Sequence, residues 1–492
     1  MSGISFTQIP TTLRTPGQYV EFDNSKANKG LVQDAQRVLL IAQKLPTGTA
    51  PANVPVRVTA ADQGVTLGGR GSMLAAMVAA FKTANAETDL WVLPVADNVA
   101  GQAATGSVTV TGPASAAGTL NLYIGGRRVQ VGVAAGATAA IIATDLAAAV
   151  TANPDLSVTG AVEGVDTGKV TLTARHKGET AGALDLRVNY HMGEATPAGL
   201  TVTIAPMAGG TGNPDLTAAL VALGDVQYHH LILPYTDAAN LAMVVEEFTD
   251  RWSAMRQIEG QVWAAAAGNH AGLTTLGNSL NSEVLSVLGL YASPTPAYEA
   301  AAVYGAVCSF NLGIDPARPL QTLLLRGILA PAEKDRFTRQ ERNLLLYDGI
   351  ATLTVAPDGR CAVERTVTTY QVNGYGLPDP SYLDAETPAT LSVLRQTWRA
   401  WVSQRYPRHK LADDGTNFAP GQAIVTPSIM RGEALAWARA CEARSWLENV
   451  EAFKAGLLVE RDDSDPNRLN LLMPPDLVNQ LRVLASLVQF RV

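Results

Sequence analysis

Val165-Asp166-Thr167-Gly168-Lys169 contains the Asp-Thr-Gly triplet on which an aspartic protease presents a carboxylate. That chemistry needs two carboxylates sharing one proton, and the triplet occurs once in the sequence. The stretch reads more simply as a hairpin turn. Gly68-Gly69-Arg70-Gly71-Ser72 stands just before an apolar helix, where free backbone N–H groups can cradle a phosphate. It lacks the lysine of a P-loop and the third glycine of the dinucleotide fingerprint, so it is read as the turn that opens the helix. His229 and His230 are adjacent and fall on opposite faces of a strand, which leaves metal ligation dependent on distant partners. Ser279 and Ser282 lack the setting of a nucleophile elbow and are read as helix caps. The run from Arg395 to Lys410, RQTWRAWVSQRYPRHK, mixes basic and aromatic residues as an anionic-surface or nucleic-acid site would. Its Trp residues lie on an apolar stripe, however, and only Arg395 and Arg399, one turn apart, are left as a basic face suited to an acidic partner. No nucleophile, base and orienting group come together. The chain reads as non-catalytic, with no cofactor and no metal.

Composition sets the frame around these residues. The chain has 492 residues, 47% of them apolar and 16% charged, with 43 Gly, 27 Pro and a net charge of −7. Length predicts about three domains, and the composition is that of a folded, loop-rich protein. The negative balance argues against general nucleic-acid binding. Met1 to Gly17 shows neither the basic start nor the apolar core of a secretory signal, and no run approaches the roughly 18 apolar residues of a membrane span. Cys308, Cys361 and Cys441 are far apart and odd in number, which predicts reduced thiols in a cytosolic folding environment.

Along the chain the rhythm changes twice. Residues 1–30 read as an arm, with QYVEFD alternating Val20 and Phe22 against Tyr19 and Glu21. From 31 to 100, buried strands (RVLLIAQ, DLWVLPV) flank the helix MLAAMVAAF. Residues 101–207 become short strands interrupted by one Ala-rich helix near 137–152, which predicts an inserted β-rich domain. The βα rhythm resumes over 208–340, with Asn213-Pro214 at a helix start, strands HHLILPY, QVWAAAAG and VLGLYASP, and a helix beginning near Thr275. The two blocks together predict one discontinuous α/β domain with a mainly parallel sheet. An α+β C-terminal domain is expected over 341–483. It opens with a hairpin turned at Pro357-Asp358-Gly359 and continues with helices near 388–406 and 431–453. In the second of these, Ala434, Trp437, Ala438 and Cys441 form an apolar stripe. Residues 484–492 end in LVQFRV, where Val488, Phe490 and Val492 face one way and Leu487, Gln489 and Arg491 the other. That strand either pairs inside its own domain or is held out for another molecule, and the residues alone leave both open.

These stretches carry a resemblance. TPGQYVEFDNSKANKG, LGGRGSMLAAMVAAF with DLWVLPVAD, RNLLLYDGIATLTVAPDGRCAVERTVTTYQ, and the run from SYLDAETPATLSVLRQTWRAWV onward together resemble, in order, the tail sheath proteins of contractile bacteriophages, closest to the Mu-like branch. The insert carries the least of the likeness. The resemblance implies a multidomain α/β fold with a subtilisin-like core that has lost protease function. It implies six-subunit rings stacked helically around a tail tube, contracting to drive that tube through the host envelope. The terminal segments would be inter-subunit strand arms, here Gln18, Tyr19, Val20, Glu21 and Phe22 at one end and Leu487, Val488, Gln489, Phe490, Arg491 and Val492 at the other. Tube contacts would come from Arg395 and Arg399, or from Arg431 and Arg439 on the next helix.

By the same resemblance, the partners are further copies of the chain, the tube protein, and baseplate and terminator proteins. Neither nucleic acid nor membrane insertion is implied, and the location is the virion, after assembly in the host cytoplasm. Two other readings stay open at this stage. A divergent α/β hydrolase would turn over an ester or peptide substrate. A surface or adhesion protein would bind through the β insert but would need an export route.

Overall fold

The computed structural model describes residues 9–10, 12–21, 31, 34–419 and 421–491. By Cα proximity these divide into two compact units, one of residues 34–393 and 479–492, the other of residues 1–33 and 394–478.

The larger unit is built on an eight-stranded sheet in the order Cys361–Arg365, Ile350–Val355, Leu285–Leu290, Gln261–Ala267, His230–Ile232, Arg37–Gln43, Asp89–Val95, Val56–Val58. The six inner strands run parallel, and the two outermost are antiparallel to their neighbours. A sheet covered on both faces calls for continuous apolar runs rather than alternation. Val38 to Ala42 and Leu285 to Leu290 are accordingly buried at every position. The helix Ala297–Ile314 is apolar on nearly all sides and buried along most of its length, as a helix enclosed by protein should be. Gly305 allows its close approach, since a Cβ there would meet Ile232 Cγ1 at 2.6 Å.

The hairpin expected to open the C-terminal domain at 341 instead extends this sheet. Ile350 and Ala351 pair in parallel with Val287 and Leu288 and are fully buried. The boundary between the compact units lies near Leu394, inside the helix Glu386–Arg405. The helix expected to begin near Thr275 begins at His270, capped by Asn269.

Between Asp89–Val95 and the next core element lies the β-rich insertion. Its four-stranded antiparallel sheet runs in the order Thr201–Ala208, Ala103–Thr111, Lys169–Lys177, Val158–Val162; a second sheet joins Arg127–Val133, Gly118–Ile124 and Leu186–Val188. The Ala-rich helix is Ala139–Thr151, capped by Thr138. Val108, Leu120, Ile142, Leu146, Val150 and Leu172 form a hydrophobic cluster of its own.

In the smaller unit, the helix expected over 431–453 is broken. Pro427–Glu442 and Val450–Gly456 are separate helices with the short strand Leu447–Glu448 between them. Ser445 and Asn449 take positive φ of 58° and 57°, a conformation no helix interior accepts. Ala434, Trp437, Ala438 and Cys441 are buried as the spacing predicts. Trp398 packs edge-on to Trp437 at 5.5 Å. A two-stranded hairpin, Leu458–Arg461 with Leu469–Leu472, completes the unit.

Candidate functional site

The two terminal segments and the surfaces of the smaller unit are the candidate site. Gln18, Tyr19, Val20 and Glu21 adopt no strand; Val20 is 77% exposed, and the Tyr19 hydroxyl donates to the Thr15 carbonyl at 3.2 Å. Phe22 lies outside the described residues. At the other end, Leu487 to Arg491 likewise form no strand, and Leu487, Val488 and Phe490 are 87%, 81% and 82% exposed. Val492 lies outside the described residues. Of the two possibilities the residues left open, pairing within the same chain is therefore not seen for the described part of LVQFRV.

The hairpin Leu458–Arg461/Leu469–Leu472 offers an edge of the complementary kind. Among the described residues it has two strands and no third. Its register pairs Leu458 with Leu472, and both are exposed. The turn is held by Asp462, whose carboxylate accepts from Ser464 N and Oγ, Asp465 N and Asn470 Nδ2 at 2.6 to 3.0 Å.

The basic residues fare differently from one another. Arg431 turns its guanidinium onto the carbonyls of Leu457 and, at 2.9 Å, Lys454. It closes the end of the helix Val450–Gly456, as a cation at a helix C-terminus does. Arg399 and Arg439 are exposed and Arg395 half-buried. Two aromatic residues of the 395–410 run, Trp401 and Tyr406, are turned inward onto Glu433. Trp401 Nε1 and the Tyr406 hydroxyl each donate to it at 2.8 Å, and Arg405 stacks on the Trp401 ring at 3.5 Å.

The catalytic candidates dissolve on inspection. The Asp-Thr-Gly triplet lies in the turn between Val158–Val162 and Lys169–Lys177. His230 Nδ1 accepts from Trp263 Nε1 and His229 Nδ1 accepts from the Arg37 N–H, both at 3.1 Å. Burial pushes both imidazoles down, to about 3 and about 4. Ser279 Oγ donates to the Leu276 carbonyl at the helix end.

Sequence reading missed an Asp–His pair. His176 Nδ1 meets Asp97 Oδ1 at 2.7 Å, close to Ser72, so that a triad is the first thought. Its Nε2 already accepts the Met73 N–H at 3.1 Å, and Ser72 Oγ caps the same helix through the Ala75 N–H at 3.0 Å. The imidazole has no lone pair left to act as base, and the Met73 and Ala75 N–H groups at this helix start, which a phosphate would use, are engaged. The separation of the two partners, 79 residues, left no local signal. Among the described residues no group of His, Cys, Asp and Glu is placed to hold a metal ion, and no helix is long and apolar enough to cross a membrane.

Exposed apolar side chains in the described parts of both terminal segments, and a hairpin with no third strand among the described residues, suit a subunit that assembles. Residues 209–369 match the phage tail sheath protein central domain and residues 378–491 the phage tail sheath C-terminal domain. The chain belongs to the phage tail sheath family; it is a structural protein of a contractile phage or prophage tail and not an enzyme. Among its relatives is the Mu-like prophage FluMu tail sheath protein of Haemophilus influenzae, 45% identical over 487 residues and covering 99% of both chains. Solved structures with similarity include a sheath tail protein of Desulfitobacterium hafniense (14% identity, TM-score 0.47, covering 94% of this chain and 100% of that one). A sheath tail protein of Listeria innocua has 11% identity and a TM-score of 0.49, covering 92% and 94%.

Proposed function

We propose that this sheath subunit polymerises into six-membered rings stacked helically around a tail tube. Contraction of that stack drives the tube through the host envelope for genome ejection. Copies join through their termini. Gln18 to Phe22 and Leu487 to Val492 add strands to a neighbour's C-terminal unit, with the open edges of Leu458–Arg461 and Leu469–Leu472 as receptors. Residues 31–100 and 208–340 serve as the subtilisin-like core, residues 101–207 as an outer insertion, and the exposed Arg399 and Arg439 as tube contacts. Tube, baseplate and terminator proteins are the partners, and assembly takes place in the host cytoplasm.

The observation that carries this reading is the exposure of Leu487, Val488 and Phe490 without a ladder of their own. Burying Val488, Phe490 and Val492 gains about 1.5–3 kcal/mol each, and ordering six residues costs about 1–2 kcal/mol each. The two sums nearly cancel, so one arm alone barely binds. Two arms per copy, ladder hydrogen bonds and ring closure tip the balance, giving subunits that stay dispersed until templated and then assemble cooperatively. Head-to-tail exchange of arms is a heterologous interface, which builds rings and helices. Contraction is then a switch between two packings of the same joined copies.

Negative-stain microscopy of the subunit, intact and lacking Leu487–Val492, tests the reading. Striated tubes or rings from the first and dispersed particles from the second are expected. A truncated subunit that polymerises as well as the intact one rejects it.

A further inference from the structure

The C-terminal segment changes character between Arg482 and Val483. Gln480 Nε2 donates to the Ala317 carbonyl at 3.3 Å. The Arg482 side chain is 11% exposed, whereas Val483 and Leu484 are each 80% exposed. Arg482 Nη2 donates to Glu386 Oε1 at 2.8 Å and to Asp384 Oδ1 at 3.1 Å, and Nη1 to Gln321 Oε1 at 3.3 Å. Glu386 has no exposed side-chain surface; its Oε1 also accepts from the Leu320 N–H at 2.5 Å and Thr366 Oγ1 at 3.3 Å. Asp384 is shared with Arg365, which forks it at 2.8 and 2.9 Å. Two cations and two carboxylates thus balance in a largely buried cluster, where removing either sign leaves an uncompensated charge.

We propose that Arg482 is the root of the C-terminal arm, a positioning residue that fixes the arm to Asp384 and Glu386 of the larger unit and separates an anchored stem, 479–482, from a docking arm that begins at Val483 and serves a second copy of this chain. The proposal rests on the arm reading above. Its physical content is reach and load. From Val483 to Arg491 the arm has nine described residues, which span at most about 30 Å when extended. Without the root, the nearest hold before the arm is the single Gln480–Ala317 hydrogen bond, and a longer, more loosely held tether presents its strand at lower effective concentration. Any pull on a docked arm is delivered to the Glu386–Asp384 cluster. Without the root it would fall on the single Gln480–Ala317 hydrogen bond.

Spin labels on introduced cysteines read this directly, because the three native cysteines are buried. One label replaces the exposed Leu481 in the stem and another Leu487 in the arm. In the full-length dispersed subunit the stem label is expected to be slow and the arm label fast. With Arg482→Met the stem label becomes more mobile, approaching the arm label, and the concentration needed for tube formation rises by roughly twofold. Arg482→Met/Glu386→Gln removes both charges together and keeps the experiment valid should the lone glutamate prevent folding; Arg482→Lys, which keeps charge but not the fork, falls between.

A stem label whose mobility is unchanged in the double variant overturns the root. If deleting Leu487–Val492 blocks assembly while the Arg482 variants behave as the parent, the root falls and the arm reading survives. If the variants free the stem while the deletion leaves assembly intact, Arg482 stands as an anchor and the arm reading falls.

Discussion

His176, on a strand of the insertion, lies 2.7 Å from Asp97 at the carboxyl edge of the main sheet, and with its other ring nitrogen it holds the Met73 N–H of a core helix at 3.1 Å. Asp97 Oδ2 also accepts the Lys177 N–H at 3.0 Å, and Gln43 Nε2 bridges Asp97 Oδ1 and the Lys177 carbonyl at 2.9 and 2.8 Å. The carboxyl edge of a parallel sheet is where α/β enzymes keep their ligands. Here a strand of the insertion fills that place, and the polar groups tie two lobes together instead of meeting a substrate.

Asp97→Asn and His176→Ala should therefore loosen the insertion from the core, each by about 1–3 kcal/mol in urea denaturation. The Asp97 effect carries a pH signature. Burial pushes its carboxyl up, but hydrogen bonds from His176, Lys177 and Gln43 outweigh that and hold it below the ordinary value. A carboxyl depressed on folding contributes stability that is present in full above its unfolded pKa and lost as pH falls through its folded pKa. The gap between parent and Asp97→Asn should be constant above pH of about 5 and narrow below about 4.

Asp462→Ala should fray the hairpin proposed to receive a neighbour's arm. The Ser464 hydroxyl and the other turn donors hold this carboxylate well below its usual range, so the turn depends on its charge. Faster amide exchange over 458–461 and 469–472, with the main sheet unchanged, is the expected result, and tube formation should weaken in parallel.

Arg431 and Arg439 lie on one helix but should part company. Arg431→Met removes the partner of two carbonyls and should lower stability by about 1–2 kcal/mol. Arg439→Ala alters an exposed side chain and should leave the melting temperature within experimental scatter. It, and not Arg431→Met, should reduce co-sedimentation with the tube protein.

All three thiols should be inert in the native protein. Burial raises the Cys308 thiol well above its ordinary value, Cys361 to about 11 and Cys441 to about 12, so the reactive thiolate is scarce near neutral pH. A chromogenic disulfide reagent should register no fast phase until the protein is unfolded, and three equivalents afterwards.

Local structure was largely legible in the residues. Buried runs such as Arg37–Gln43 and Leu285–Leu290 announced parallel strands, Gly68–Ser72 announced the turn that opens a helix, and Gly359 announced a turn it now makes with φ of 83°. The break at Ser445 was less visible, because Ala443 to Trp446 continue a plausible helical composition until two non-glycine residues take positive φ.

Sequence by itself determined the alternation of elements, the β-rich stretch between the two βα blocks and the apolar pattern of both terminal segments, because these follow from periodicities of two and 3.6 residues that each segment carries alone. Only the tertiary structure decided that the Ile350–Arg365 hairpin belongs to the main sheet, that His176 meets Asp97, and that Arg482 finds Glu386 across 96 positions of chain. Such pairings depend on which faces the folded backbone brings together, and spacing along the chain does not encode them.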